Sequence, residues 1–427
     1  MRTAHASEQL YAALTRTLAP LLPTAAAFST KLRRGLDGRR GLRTRIAEAA
    51  PGLQGCVWLH TTSVGEYEQS LPIVRRLREA DVGPIAVTHF SPSGRDYARE
   101  HPCADHHDYL PLDRPADVAH LVAAWRPRAL VFVKYDCWPA LVRAADESGV
   151  PVLLLSGALS ARSIRHHGPL RPFFRAVFNR FAHLGVGSEA DRQRFVASLG
   201  VSAPVTVTGD TRAEQVLARF ETSRDNVLAA DLRAWGERRL ILGSTWPRDE
   251  ALWWPVLPRL LEADPGLNVI IVPHEPEPER LTSIESACRE HGLGVQRLGD
   301  WETQHRADDA RCLLVDRIGV LAGIYHAGDV AYVGGSFTTG VHSTLEPAAA
   351  SLPVLFGPRI DNAEEALAMA AKAAGFILRR PDDALSRVQG LLADNDARRA
   401  AGAVARATVD AQSGAAERSV DLLRRYL

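Results

Sequence analysis

No Cys-x-x-Cys pair occurs among the five scattered cysteines of this 427-residue chain (Cys56, Cys103, Cys137, Cys288, Cys312). An odd, dispersed set excludes a disulfide framework and a thiolate zinc site, and it suits reduced thiols in the cytosol. There is little net charge either: the formal value is +1. That excludes wholesale electrostatic binding, so no nucleic-acid partner is expected. No segment reaches the roughly 18 apolar residues that a spanning helix requires. The nearest, "TLAPLLPTAAAFST" at 17–30, is broken by two prolines and lacks the features of a signal peptide. Two fingerprints are also missing. Neither G-x-G-x-x-G nor a Walker lysine loop occurs, which disfavours a nicotinamide oxidoreductase and a P-loop enzyme.

What is present is ordinary globular composition, 46% hydrophobic and 24% charged, in a chain long enough for two domains. From residue 56 apolar strand candidates alternate with amphipathic stretches. "CVWLH", "PIAVTHF", "ALVFVK", "VPVLLLS", "AHLGVG" and "VTVTG" form a first series. "LILGS", "LNVIIVPHE", "CLLVD", "DVAYVGG", "LPVLFGP" and "GFILRR" form a second, after a polar, helix-prone interval around 211–238. Buried strands separated by helices predict α/β architecture, with two Rossmann-like domains facing a central cleft. The expected boundaries are a basic amphipathic segment at 1–45 and a first domain at 46–212. A linker at 213–238, a second domain at 239–410 and a terminal helix at 411–427 that packs back on the first domain complete the scheme.

The chemistry is expected in the strand-end loops. "SVGEYEQSLP" at 63–72 places Gly65, Glu66 and Glu68 just behind a strand. Acids in a first helical turn complement its dipole, and that explanation fits Glu68. Glu66, directly after the glycine, is placed to remove a proton from an incoming hydroxyl. In the second half "VGGSFTTGVHSTLEPAA" at 333–349 follows a strand. Gly334, Gly335, Ser336, Gly340 and Ser343, with Thr344, make a glycine-rich turn and helix start suited to an anion. Glu346 there is suited to a ribose diol, and His342 has no part in a mere turn or cap. Ser244 and Thr245 open another helix, where capping and phosphate binding are both open. His274 also follows a strand end but is weak evidence alone. Lys134 could meet an anion and Asp136 could orient a polar group. His106, His107 and Asp108 are poorly disposed to chelate one ion, because adjacent side chains of a strand point apart. "DND" at 394–396 reads as a helix cap.

Taken in order, these residues resemble the 3-deoxy-D-manno-octulosonic acid (Kdo) transferases of lipopolysaccharide synthesis. The likeness runs from about 55 to 376 through "SVGEYEQSLP", "THFSPSG", "YLPLD", "VKYDCWP", "SGALSARS", "VTGDTR", "GSTWPRDE", "VPHEPE", "AYVGGSF", "GVHSTLEPAA" and "LPVLFGP". The resemblance implies a GT-B fold and inverting transfer of Kdo from CMP-Kdo to the lipid A precursor, with no cofactor and no metal. It implies Glu66 as general base, with Ser63 beside it, and Ser244 and Thr245 as a phosphate-contacting turn. The loop around His342 and Glu346 becomes the nucleotide site. It also implies the cytoplasmic membrane surface as a peripheral partner, on the cytoplasmic face of the inner membrane. There the basic run "KLRRGLDGRRGLRTR", with seven basic residues and one acid, would touch anionic lipid; a solvated basic helix is the plainer reading.

Two departures stand out. Lys134 and Asp136 occupy a segment where many relatives carry an acidic pair, and "VPHEPE" lacks a common arginine. The cation meeting the Kdo carboxylate is therefore open among Lys134, Arg212 and Arg248. The alternatives are a GT-B enzyme using another nucleotide sugar and an inactive, lipid-binding scaffold.

Overall fold

A computed structural model describes residues 2–161, 163–223, 226–303 and 310–427. Arg162 of the "SGALSARS" motif, Met1 of the basic segment, and Arg224 and Asp225 of the expected linker lie outside the described residues. The chain divides into two compact units, Met1–Gln215 with Gln412–Leu427, and Val216–Ala411.

The first unit is built on a parallel sheet of seven strands among the described residues. They are β1 (Val57–Thr61), β2 (Ile85–His89), β3 (His106–Tyr109), β4 (Ala129–Val133), β5 (Val152–Gly157), β6 (His183–Val186) and β7 (Val205–Val207), in the order β3-β2-β1-β4-β5-β6-β7. β1, β2, β4 and β5 are buried along their whole length, so alternate residues supply two cores. Trp58, Leu130 and Phe132 pack on one face; Val57, Leu59 and Val131 pack on the other. The helix Ala415–Arg424 brings Val420, Leu422 and Leu423 to that second face.

The second unit repeats the plan with β8 (Arg238–Thr245), β9 (Leu267–Pro273), β10 (Val295–Arg297), β11 (Cys312–Leu314), β12 (Val330–Val333), β13 (Val354–Phe356) and β14 (Gly375–Ile377), ordered β10-β11-β9-β8-β12-β13-β14. Leu240, Leu242, Val269 and Ile271 face one core, and Ile241, Ile270 and Val272 the other. The expected linker span holds the helices Arg212–Thr222 and Val227–Arg233. Asp394 accepts the N–H groups of Asp396 and Ala397 and caps the helix Asn395–Asp410.

Two strands were not expected, β3 and β10. Both are sheet edges, and their sequences, HHDY and VQR, lack the apolar run that marks a central strand. The sheet order places the chemistry. Strand order reverses between β1 and β4 in the first unit and between β8 and β12 in the second. At such a switch point the loops diverge and open a crevice at the strands' carboxyl ends.

Before the first sheet, helices Arg2–Leu18, Leu22–Ala26, Thr30–Gly38 and Leu42–Leu53 fill the N-terminal segment. Among the described residues no helix is long and apolar enough to cross a membrane. Several arginines of the basic run pair with acids of the first unit. Arg45 grips Asp108, Arg43 pairs with Asp117 and Arg34 with Asp96. Arg39 is half-buried and lies over the Phe90 and Tyr109 rings.

Candidate active site

In the first unit β1 runs through Thr62 and Ser63 into the helix Val64–Glu79. Ser63 is extended at the N-cap, and its hydroxyl accepts the Glu66 N–H. In return Glu66 Oε2 accepts the backbone N–H of Thr62 at 2.7 Å, that of Ser63 at 2.8 Å and the Ser63 hydroxyl at 3.1 Å. This is a capping box. The acid at the helix start is thus Glu66 and not Glu68, which accepts the Tyr97 hydroxyl at 2.8 Å. Capping does not consume Glu66, because among the described residues no hydrogen bond reaches its other oxygen, Oε1.

β4 delivers Lys134, Tyr135 and Asp136 to the same end of the sheet. Lys134 holds a left-handed φ of 66°, which turns the chain, and its ammonium lies 5.1 Å over the Tyr135 ring. Asp136 Oδ2 accepts the Thr62 hydroxyl. His60 Nε2 stands 3.7 Å from that oxygen. Burial raises the Asp136 carboxyl to about 7, and the Glu66 charge adds to the rise. The Thr62 hydroxyl, the Arg165 guanidinium and the Trp138 indole oppose it. His60 is completely buried; burial lowers its imidazole to about 3, helped by Arg39, so it is neutral. Its Nδ1 sits 2.9 Å from the Thr88 hydroxyl, which also receives the Trp58 indole N–H.

Arg212 belongs to the same edge. Its backbone N–H donates to Asp210 Oδ1, which also accepts the Gln69 amide at 2.6 Å. Burial raises the Tyr135 phenol, Arg212 counters it, and Asp210 and Glu66 reinforce it. Ser63, Glu66, Lys134, Asp136 and Arg212 are therefore brought together. Thr62 and His60, which complete the group, carry no sequence signal beyond two polar residues closing an apolar strand.

The second unit supplies a different surface. Ser244, at the end of β8, has a φ of 52°. Gly334, at the end of β12, crosses so close that an added Cβ would lie 2.2 Å from the Ser244 carbonyl oxygen. Gly335 and Gly340 hold φ of 94° and 130°, so the loop "GGSFTTG" bends as other residues rarely can. Buried Asp249 fastens it, accepting the Gly335 N–H at 2.9 Å, the Trp246 N–H at 2.9 Å and the Tyr332 hydroxyl at 2.6 Å. The indole of Trp246 donates to His342 Nε2 at 2.7 Å, leaving any ring proton on Nδ1. His342 stacks on His274 with centroids 4.2 Å apart and planes 11° apart. Burial and then His274 lower the His342 imidazole.

Two expected hydroxyl donors point inward. Thr245 donates to Glu250 Oε1 at 2.8 Å, and Glu250 is in turn held by Arg280. Ser336, fully buried, accepts the Gly357 N–H at 2.6 Å. Neither hydroxyl is therefore left to meet an anion. Glu346 opens the short helix Leu345–Ala349 with Arg219 at 3.7 Å, and Ser343 is half-buried beside it. Arg248 is exposed on the first turn of Pro247–Trp253. Asp249 and Trp246 were missed; an acid in the first turn behind a Trp-Pro pair was the only signal, and it marks a helix start without showing what the acid holds.

A family model described as 3-deoxy-D-manno-octulosonic-acid transferase (kdotransferase) matches residues 34–215. The 3-deoxy-D-manno-octulosonic acid transferase of Bordetella pertussis is 31% identical over 404 residues, 91% of this chain and 90% of that one. The enzyme of the same name from Chlamydophila psittaci is 30% identical, covering 79% and 81%. Among solved structures, UDP-GlcNAc 2-epimerase from Neisseria meningitidis bound to UDP-GlcNAc has a TM-score of 0.62 at 11% identity, covering 86% of this chain and 98% of that one. That likeness is one of fold, and the fold is GT-B.

Proposed function

We propose, from the premise that this chain belongs to the Kdo transferase family and is a glycosyltransferase, that it moves Kdo from CMP-Kdo to a hydroxyl of the lipid A precursor with inversion at the anomeric carbon. The observation that carries the reading is Glu66. A single displacement needs one base beside the acceptor hydroxyl, and Glu66 is a buried carboxylate whose Oε2 is fixed by three donors while Oε1 is left for an incoming O–H. As the acceptor oxygen bonds to the anomeric carbon, its proton passes to Oε1. The bond from that carbon to the phosphate oxygen breaks, and CMP departs with the electron pair. The Ser244 turn after β8 and the glycine loop after β12 flank the place proposed for that phosphate, while the N–H groups of Trp246, Gly334 and Gly335 are spent on shaping them. The stacked His274 and His342, with Glu346, suit the nucleoside, while the cation for the Kdo carboxylate is one of Lys134, Arg212 or Arg248.

A lipid acceptor calls for a peripheral position on the cytoplasmic face of the inner membrane. Support comes from Leu10, Leu14, Leu21 and Phe28, which are exposed along the N-terminal helices, Phe28 to 90%. Such side chains suit a membrane interface better than water. Replacing these four by serine should weaken binding to anionic vesicles. Deleting 1–45 would be a poorer test, because Arg39 and Leu42 belong to the folded unit.

The function is tested by incubating purified protein with tetraacylated lipid A precursor and CMP-Kdo and weighing the product by mass spectrometry. A product heavier by one or more Kdo residues supports the reading and counts the transfers. No product, with turnover of another nucleotide sugar, refutes it.

A further inference from the structure

We infer that Asp136 is a second proton-accepting carboxylate of the transfer site, so that the acceptor's proton is taken by a Glu66–Asp136 pair and not by Glu66 alone. The inference deepens the Kdo-transfer reading and rests on it. Its first ground is connectivity. One residue, Thr62, donates to both acids: its backbone N–H to Glu66 Oε2 at 2.7 Å and its hydroxyl to Asp136 Oδ2. The two carboxylates also sit behind β1 and β4, the strands flanking the switch point.

The second ground is an unpaired buried ring nitrogen. His60 is fully buried, and its Nε2 has no hydrogen-bond partner while lying 3.7 Å from Asp136 Oδ2. The Trp138 indole N–H also faces Asp136 and favours its ionised form. Leaving the His60 nitrogen unsatisfied is costly. It is explained if the carboxylate moves between two protonation states and tightens onto this ring in one of them.

The third ground is the division of labour between the acids. Three hydrogen bonds to one oxygen fix the orientation of the Glu66 carboxylate. Asp136 is held by fewer donors, is largely buried and faces the Glu66 charge, which raises it to about 7, near the operating pH of a general base. In the step itself the acceptor O–H bond breaks as the oxygen bonds to the anomeric carbon. The proton ends shared by the pair, and CMP leaves with its electrons, so charge and atoms balance. The groups facing Asp136 are Glu66 from the helix, His60 from β1, Arg165 from the turn Ile164–His166, and its neighbours Cys137 and Trp138.

The test is the pH dependence of kcat/KM for Kdo transfer in the wild type, Asp136→Asn and Asp136→Glu. Wild type should lose activity on acidification with a midpoint near neutrality. Asp136→Asn should lower kcat about 100-fold, change the acceptor KM by less than about threefold, and move that acid limb down by about a unit or more; Asp136→Glu should restore it. An unchanged limb in Asp136→Asn overturns the inference. A wild type that makes no Kdo product refutes the function instead. If Asp136→Asn does not fold, the carboxyl carbon of Asp136 is titrated by 13C NMR in the wild type and Glu66→Gln. Titration near neutrality that falls in Glu66→Gln supports the pair; an ordinary aspartate midpoint in both proteins overturns it.

Discussion

The carboxylate of Asp249 accepts the backbone N–H of Gly335 at 2.9 Å. A helix start is thereby bonded to the glycine loop after β12, and the same carboxylate takes the Trp246 N–H and the Tyr332 hydroxyl. Because Asp249 is wholly buried, its loss strands three donors, each costing on the order of 1–3 kcal/mol when unsatisfied. Asp249→Ala should destabilise the protein by about 3 kcal/mol in urea unfolding and weaken CMP binding about tenfold. Unchanged CMP affinity would deny Asp249 a part in shaping the loop.

Gly334 meets a backbone oxygen, which cannot rotate aside as a side chain can. Gly334→Ala places a methyl 2.2 Å from the Ser244 carbonyl oxygen, so the crossing of the β8 and β12 ends must open. We expect a cost of about 3 kcal/mol and loss of CMP binding measured by calorimetry. Gly390→Ala is the control, since a Cβ there meets nothing within 4 Å. Equal behaviour of the two variants would contradict the close approach.

Acid should weaken the first unit through its histidines. His60 and His89 are buried, and burial lowers them to about 3 and about 2, so they stay neutral in the fold. Once unfolded they bind protons below the ordinary value near 6.5. Their stabilising contribution is therefore complete above 6.5 and falls as the pH drops toward the folded values. Each gives a slope of about 1.4 kcal/mol per pH unit. Asp136, raised in the fold, works the other way between the ordinary aspartate range and about 7. The net loss from these three groups should be about 1.4 kcal/mol per pH unit between 6 and 4. Urea unfolding at pH 7, 6 and 5 measures it, and His89→Gln should flatten the dependence; a wild type equally stable at pH 7 and 5 would contradict it.

Much of this was readable because burial and chemistry leave different marks. β1, β4, β8 and β9 are apolar runs of the kind that only a doubly covered sheet explains, and the residues just behind β1, β4, β8 and β12 hold the site candidates. Polar edge strands leave no such mark, and β3 and β10 were missed for that reason. Side-chain direction was equally silent. Thr245 and Ser336 look like donors for a phosphate, yet each hydroxyl is committed inside the protein. Glu66 and Glu68 are two residues apart, and only the fold shows which of them closes the capping box. Asp249 looks like an ordinary first-turn acid until its bond to Gly335, 86 residues on, is seen.

The most direct test of the whole account is Glu66→Ala, with Kdo transfer from CMP-Kdo and CMP binding measured on the same preparation. The account predicts that transfer is nearly abolished while CMP binding, which the proposal assigns to the second unit, stays at the wild-type level. Transfer that persists at a substantial fraction of the wild-type rate would remove Glu66 from the chemistry and contradict it.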